Sequence, residues 1–256
     1  MAPTIDLNAD LGEECGDDLA MLAIVTSASI AAGGHAGGGD VLARTVRAAA
    51  ERGVRVGAHP SYPDRPGFGR ISLLGRMGVR ELAASVTRQV AEVGARAHDA
   101  AIALSHVKAH GALYHDLDAD ESLARAYLDA IDAGCPGASG DVVPVMCQGG
   151  GALERMALAQ GRTVITEGFA DRGYAPDGSL VARSAPHALI EHADAAAAQA
   201  VAIARDEAVR AVDGTVVAMR ARSLCLHGDS PGAVRLALSV REALEAAGIA
   251  VAAWPA

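Results

Sequence analysis

Thr4-Ile5-Asp6-Leu7-Asn8-Ala9-Asp10-Leu11-Gly12-Glu13 begins as an alternation of apolar and polar residues and ends on a glycine and an acid. A period of two is the pattern of a strand with unlike faces. Asp6, Asn8 and Asp10 share one face of it. The same unit, a short β-like run ending in polar residues, recurs along the chain. Ala28-Ser29-Ile30-Ala31 leads into Gly33-Gly34-His35-Ala36-Gly37. Val54-Arg55-Val56-Gly57 leads into His59-Pro60-Ser61-Tyr62-Pro63-Asp64-Arg65. Ser105-His106-Val107-Lys108 continues into Ala109-His110-Gly111. Further runs are Val142 to Met146, Thr163 to Thr166 (then Glu167 to Arg172), and Ser223 to Leu226 (then His227-Gly228-Asp229).

Helical patterns fill the intervals. Asp40 to Ala50 starts on a capping-type acid and stops before Gly53. Val79 to Ala97 has apolar residues at 82, 86, 90 and 93, the spacing of a buried stripe. Pro231 to Ala247 starts with proline near its first turn and stops at Gly248. Strand–helix alternation over the whole length predicts an α/β domain with a parallel sheet. An open doubly wound sheet and a closed barrel both satisfy it. Seven units with polar strand ends favour a TIM-like barrel one strand short, with its site at the C-terminal strand ends. Phe169 to Pro186 is the one long irregular stretch, a candidate substrate loop.

The 256 residues suit one domain, or at most two. Net charge −9 argues against nucleic acid, which calls for a basic patch. No run of 18 apolar residues predicts a membrane span, and the first residues lack the pattern of a secretion leader. Cysteines 15, 135, 147 and 225 lie far apart with no C-x-x-C, as expected of free thiols in a reducing cytoplasm. Lys108 is the single lysine among 22 basic residues. In a chain that otherwise uses arginine, it marks a place for a compact ammonium.

Histidines 35, 59, 106, 110 and 227 all fall at or just after a strand. A lone histidine there is more often structural; the constellation points to an active site. Asp10 with two histidines suits a divalent metal. The chain has no H-E-x-x-H, no G-x-S-x-G and no Walker A sequence. Gly149-Gly150-Gly151 opens a helix at Ala152, as an anion-binding turn or simply a tight one. Arginines 65, 70, 172 and 183 are available to an anionic substrate. These residues alone describe a hydrolase acting on a small, anionic molecule.

The motifs at 6–13, 33–37, 57–70 and 106–114, with Phe169 to Tyr174, Asp177 to Val181, Arg183 and Cys225 to Asp229, together resemble the LamB/YcsF family. The resemblance runs from residue 4 to about 250 and implies one domain over 1–256. It implies a distorted seven-stranded (β/α) barrel related to polysaccharide-deacetylase barrels. It also implies ATP-driven opening of the 5-oxoproline lactam to glutamate, with partner subunits PxpB and PxpC. On that chemistry Asp10 and His59 position or deprotonate water. Lys108 stabilises charge on the lactam oxygen or phosphate, and His110 protonates the leaving nitrogen. Asn8, Glu13, His35, Asp64, Arg65, Asp171, Arg172, His227 and Asp229 are candidate substrate-binding residues, with Arg172 or Arg65 on the carboxylate. Asp10 and His59 are the candidate metal ligands. Ala32 and Gly34 depart from the family's usual Cys and Phe. A metal-dependent deacetylase or amidase, and a non-catalytic protein that binds an organic acid for partner enzymes, are the alternative readings.

Overall fold

The computed structural model describes residues 3–135 and 142–254; Met1 and Ala2, part of the leader reading, lie outside them. The chain runs β1 (Thr4–Leu11), α1 (Asp18–Leu22), β2 (Ser27–Ala31), α2 (Gly39–Glu51), β3 (Arg55–His59) and α3 (Val79–Asp99). It continues through β4 (Leu104–Lys108), α4 (Gly111–Ala119), α5 (Glu121–Gly134), β5 (Val145–Cys147), α6 (Ala152–Ala159) and β6 (Val164–Phe169). It ends with α7 (Ala193–Ala204), β7 (Ala208–Arg210), β8 (Val216–Ala218), β9 (Ser223–Leu226), α8 (Ala233–Ala246) and β10 (Ala250–Val251).

Strands β1 to β6 and β9 are hydrogen-bonded in that order, all parallel, and β9 pairs back onto β1. The sheet therefore closes into the expected seven-stranded barrel. Strand β10 lies outside the ring, on the same edge of β1 as β2. Pro3 and Ile5 carbonyls accept from Ala250 and Ala252, and the Leu7 carbonyl accepts from Thr26. Strands β7 and β8 form a separate antiparallel pair. These three short strands are too brief to leave a periodic pattern in the sequence.

Residues Ile5, Leu7, Ala9 and Leu11 of β1 are buried in the apolar core. The stripe Leu82, Val86, Val90 and Val93 of α3 is buried as the spacing predicts, each side chain contributing about 1.5–3 kcal/mol. Two helix starts differ from the sequence reading. Asp40 lies in the first turn of α2, and Gly38, at φ +89°, takes the cap. Pro231 precedes α8, whose cap is Gly232.

The other face of β1 points across the barrel. Asp6 accepts hydroxyls from Thr26 at 2.6 Å, Ser27 at 2.7 Å and Ser223. His106 is held between Ser105 and Ser29, at 2.8 and 3.1 Å. Burial lowers the His106 pKa to about 3, so it is a neutral spacer. Gly57 makes room for its ring, since a Cβ there would collide with it. Polar groups inside a barrel are tolerable only when paired in this way.

Candidate active site

A cavity of about 750 Å³ opens at the C-terminal strand ends. Asp10, His59, Lys108, Glu167 and Tyr114 line its deeper part; Arg70, Arg183 and Asp229 line its mouth.

Lys108 sits at the end of β4, only 2% exposed. Its ammonium reaches Asp10 Oδ1 at 2.6 Å, Glu167 Oε1 at 2.8 Å and Asn8 Oδ1 at 2.9 Å. An ammonium has three N–H donors, and three oxygens take them. Asn8 is oriented by the same network, with Nδ2 donating to Glu167 Oε1 at 3.0 Å and Ser223 Oγ at 2.8 Å. Tyr114 donates to the second Glu167 oxygen at 3.1 Å. Burial opposes charge on Lys108, but Asp10, Cys225 and Glu167 outweigh it and hold its pKa well above the ordinary value. Burial likewise opposes ionising Asp10, yet His59 and Lys108 keep that carboxyl well below the usual range.

A histidine cluster adjoins this ammonium. His59 Nδ1 donates to the Lys108 carbonyl at 2.9 Å, and His110 Nε2 donates to the Phe68 carbonyl at 2.9 Å. In the neutral rings the remaining nitrogens are therefore acceptors. They meet at 3.0 Å. Glu13 Oε1 lies 3.3 Å from His110 Nδ1 and 3.9 Å from His59 Nε2, and Asp10 Oδ2 lies 3.3 Å from His59 Nε2. His35 supports the group from behind, with Nε2 on Glu13 Oε1 at 2.8 Å and its ring stacked on His110 at 3.6 Å. Burial raises the Glu13 pKa, but bonds from His110 and His35 reverse that and leave it well below the ordinary value. Burial lowers His35 to about 4.

Glu13, His35, His59 and His110 thus form a cluster that can hold a metal ion. Metal–ligand bonds of about 2.0–2.2 Å place neighbouring donor atoms about 3–3.5 Å apart, close to the separations found here. The sequence reading paired Asp10 with His59; the geometry gathers Glu13 and His110 on the same point.

His227 stands opposite, after β9. Asp171 holds it twice, accepting its backbone N–H at 2.9 Å and Nδ1 at 3.0 Å. Burial disfavours the imidazolium, but Asp171 outweighs it and the His227 pKa is raised.

The other expected residues lie further out. Arg172 faces the cavity with Nε on the Ala188 carbonyl and Nη2 on that of Val181, at 3.1 and 2.7 Å. Arg65 is half-exposed against Glu14 and does not line the cavity. Asp64 builds a turn, accepting from Gly67 N–H at 3.0 Å. That turn presents Phe68, whose ring packs edge-on against His35 and His110. A side chain at Gly34 would collide with Gln89 and Ser61, so Phe68 supplies the aromatic wall instead. The glycine turn at 149–151 does open α6, but Gly150 N–H is bonded to Glu154 at 2.6 Å. Leu180, Ala182, Arg183 and Ser184, from the irregular stretch after β6, line the cavity.

Glu167 and Tyr114 were not among the expected site residues. Glu167 is the polar residue at the inward position of β6, a signal equal to that of Lys108 on β4. Tyr114 lies within the quoted 106–114 motif, but on α4, where nothing local shows that its hydroxyl reaches β6.

A closed parallel barrel with ionised, mutually paired groups at its C-terminal strand ends defines a barrel enzyme of the β/α class. The LamB/YcsF family model matches residues 5–256. A Streptomyces coelicolor protein, named as the A-type component of 5-oxoprolinase, is 45% identical over 255 residues, covering 98% of this chain and 99% of that one. A Methylococcus capsulatus protein of the same name is 45% identical, covering 99% and 96%. The crystal structure of a lactam utilization protein from Thermus thermophilus superposes with a TM-score of 0.89, at 38% identity over 98% of this chain and 100% of that one. A family 4 carbohydrate esterase from Streptomyces lividans aligns at TM-score 0.45 and 12% identity, too remote to carry an argument. The chain belongs to the LamB/YcsF family.

Proposed function

We propose that this chain, as a single barrel domain over residues 1–256, opens 5-oxoproline to L-glutamate in an ATP-dependent reaction with PxpB and PxpC as partner subunits. The observation that carries this reading is the pairing of His59 with Asp10. His59 keeps Nδ1 on a backbone carbonyl and turns Nε2 to the cavity, 3.3 Å from a carboxylate that Lys108 keeps ionised. The names of the full-length relatives support the substrate.

A five-membered lactam is a stable amide, and transfer of phosphate from ATP to its oxygen makes the ring carbon electrophilic. His59 takes the proton from the attacking water, and Asp10 stabilises the resulting imidazolium, as an acid does in a His–Asp pair. The carbon–nitrogen bond then breaks and the nitrogen takes a proton. We assign that proton to His227, whose pKa Asp171 raises, because burial lowers that of His110. Lys108 acts through Asp10 and Glu167, since its three donors are engaged. Where a divalent ion is present, Glu13, His59 and His110 would hold it. When bound it supplies Lewis-acid polarisation of an adjacent carbonyl oxygen. The need for ATP and the four unpaired cysteines fit a cytoplasmic setting.

Glutamate released from 5-oxoproline and ATP, with both partners present and the chain or ATP omitted in controls, tests the reading. Release requiring both supports it. No release, with partners that work beside another chain of this family, would overturn it.

A further inference from the structure

Two arginines from separate loops meet on one carboxylate at the cavity mouth. Arg183 Nη2 reaches both Asp229 oxygens at 2.6 Å, and Arg70 Nη2 reaches Oδ2 at 2.9 Å. Arg70 also lies over the Phe68 ring at 4.8 Å. One carboxylate between two guanidiniums leaves a positive charge uncompensated within the trio. Each arginine engages Asp229 through Nη2 alone, and a guanidinium carries five N–H donors. Arg183 is 27% exposed and Asp229 16%, so the group is shielded but open to the cavity.

The deeper cavity has the opposite character. Asp10, Glu13 and Glu167 are there, and the donors of Lys108 are taken. An anionic group is repelled from the floor and attracted at the mouth. Arg172 is committed to two backbone carbonyls, and Arg65 lies outside the cavity lining.

We propose that Arg70 and Arg183 are the receptor for the free carboxylate of a small cyclic acid, with Asp229 as the residue that positions them. The carboxylate binds across the guanidinium edges that Asp229 leaves free. This fixes the ring with its uncharged amide toward His59 and its charge toward solvent. The proposal rests on the lactam reading above for the identity of the ring, and on the arginine geometry for the carboxylate.

Calorimetry with three ligands separates the two. These are 5-oxoproline, its carboxamide (same ring, no charge) and cyclopentanecarboxylate (same charge, no lactam). The wild-type chain is expected to bind both acids and to bind the carboxamide at least tenfold more weakly. Arg183→Gln and Arg70→Gln should each weaken both acids about 10- to 100-fold and leave the carboxamide unchanged, with melting curves confirming the fold. Asp229→Asn, which keeps one acceptor oxygen, should retain part of the acid preference that Asp229→Ala loses. Arg96→Gln, a surface change, should do nothing. Equal binding of acid and carboxamide by the wild type, no acid binding at all, or an acid preference kept in Arg183→Gln would overturn the receptor. So would Arg183-dependent binding of inorganic phosphate tighter than either acid, which would make this a phosphate site. Arginine-dependent binding of cyclopentanecarboxylate without any glutamate release would leave the receptor standing and remove the lactam reading. Glutamate release with unaltered KM in both arginine variants would remove the receptor alone.

Discussion

His59 Nε2 and His110 Nδ1 face each other at 3.0 Å while the other nitrogen of each ring donates to a backbone carbonyl. Glu13 Oε1 and Asp10 Oδ2 close on the same point. Four acceptors with no donor among them require a cation, either a proton on a ring or a metal ion. Loading the chain with Zn²⁺, Mn²⁺ or Co²⁺ is expected to raise its Tm. At a hundredfold excess over Kd the stabilisation is about 2.7 kcal/mol, or roughly 5–10 °C for a chain of this size. His110→Gln should abolish the shift. Thermal melts and metal analysis after dialysis check this; no shift and no retained metal for any of the three ions would refute the site.

Lys108 cannot be exchanged for arginine. Three oxygens surround its Nζ within 2.9 Å, in a buried space that suits a compact ammonium and not a planar fork. Lys108→Arg should lower kcat by about a hundredfold or more, in the range seen when preorganised electrostatic groups are removed. Lys108→Met leaves Asp10 and Glu167 buried without a counter-charge and should cost about 3–5 kcal/mol. Steady-state kinetics and urea unfolding measure the two. Full turnover by Lys108→Arg would sink the role given to this residue.

The His227–Asp171 pair makes stability depend on pH with a definite sign. The folded pKa of His227 is raised, so its contribution is complete below the unfolded value of about 6.5 and fades as pH rises through the folded value. Asp171, whose folded pKa is lowered, contributes above about 3.9 and loses that contribution as pH falls through its folded value. The stability gap between wild type and His227→Gln should therefore be widest near pH 5–6 and shrink toward pH 9. Denaturant titrations across that range decide it; a gap that grows with pH would contradict the pairing.

Gly57→Ala should disturb the barrel from within, because a Cβ there enters the space of the His106 ring between Ser29 and Ser105. Overpacking of this kind costs about 1–3 kcal/mol. Urea unfolding of Gly57→Ala beside Gly57→Ala/His106→Ala would show partial recovery in the double variant if the clash is the cause.

Much of the barrel was legible because a strand's faces alternate along the chain itself. The period in Thr4 to Leu11 assigns Asp6, Asn8 and Asp10 to one side without any knowledge of the partner strands, and the glycine and apolar spacings mark the helices. The seven runs read from the sequence correspond to the seven barrel strands. The β7–β8 pair and β10 were not legible, since two or three residues carry no period and their pairing is made by distant chain.

Local sequence therefore determined the strand–helix order, the polar inward faces and the concentration of His, Asp and Lys at the strand ends. Only the tertiary structure decided what those groups do to one another. Glu167 joins Lys108 across 59 positions and Arg183 joins Asp229 across 46. Arg65, which looked the equal of Arg183, instead meets Glu14 at the surface. Alternation is a property of consecutive residues, whereas a charge's partner depends on barrel closure, and closure brings together strand ends that the sequence keeps far apart.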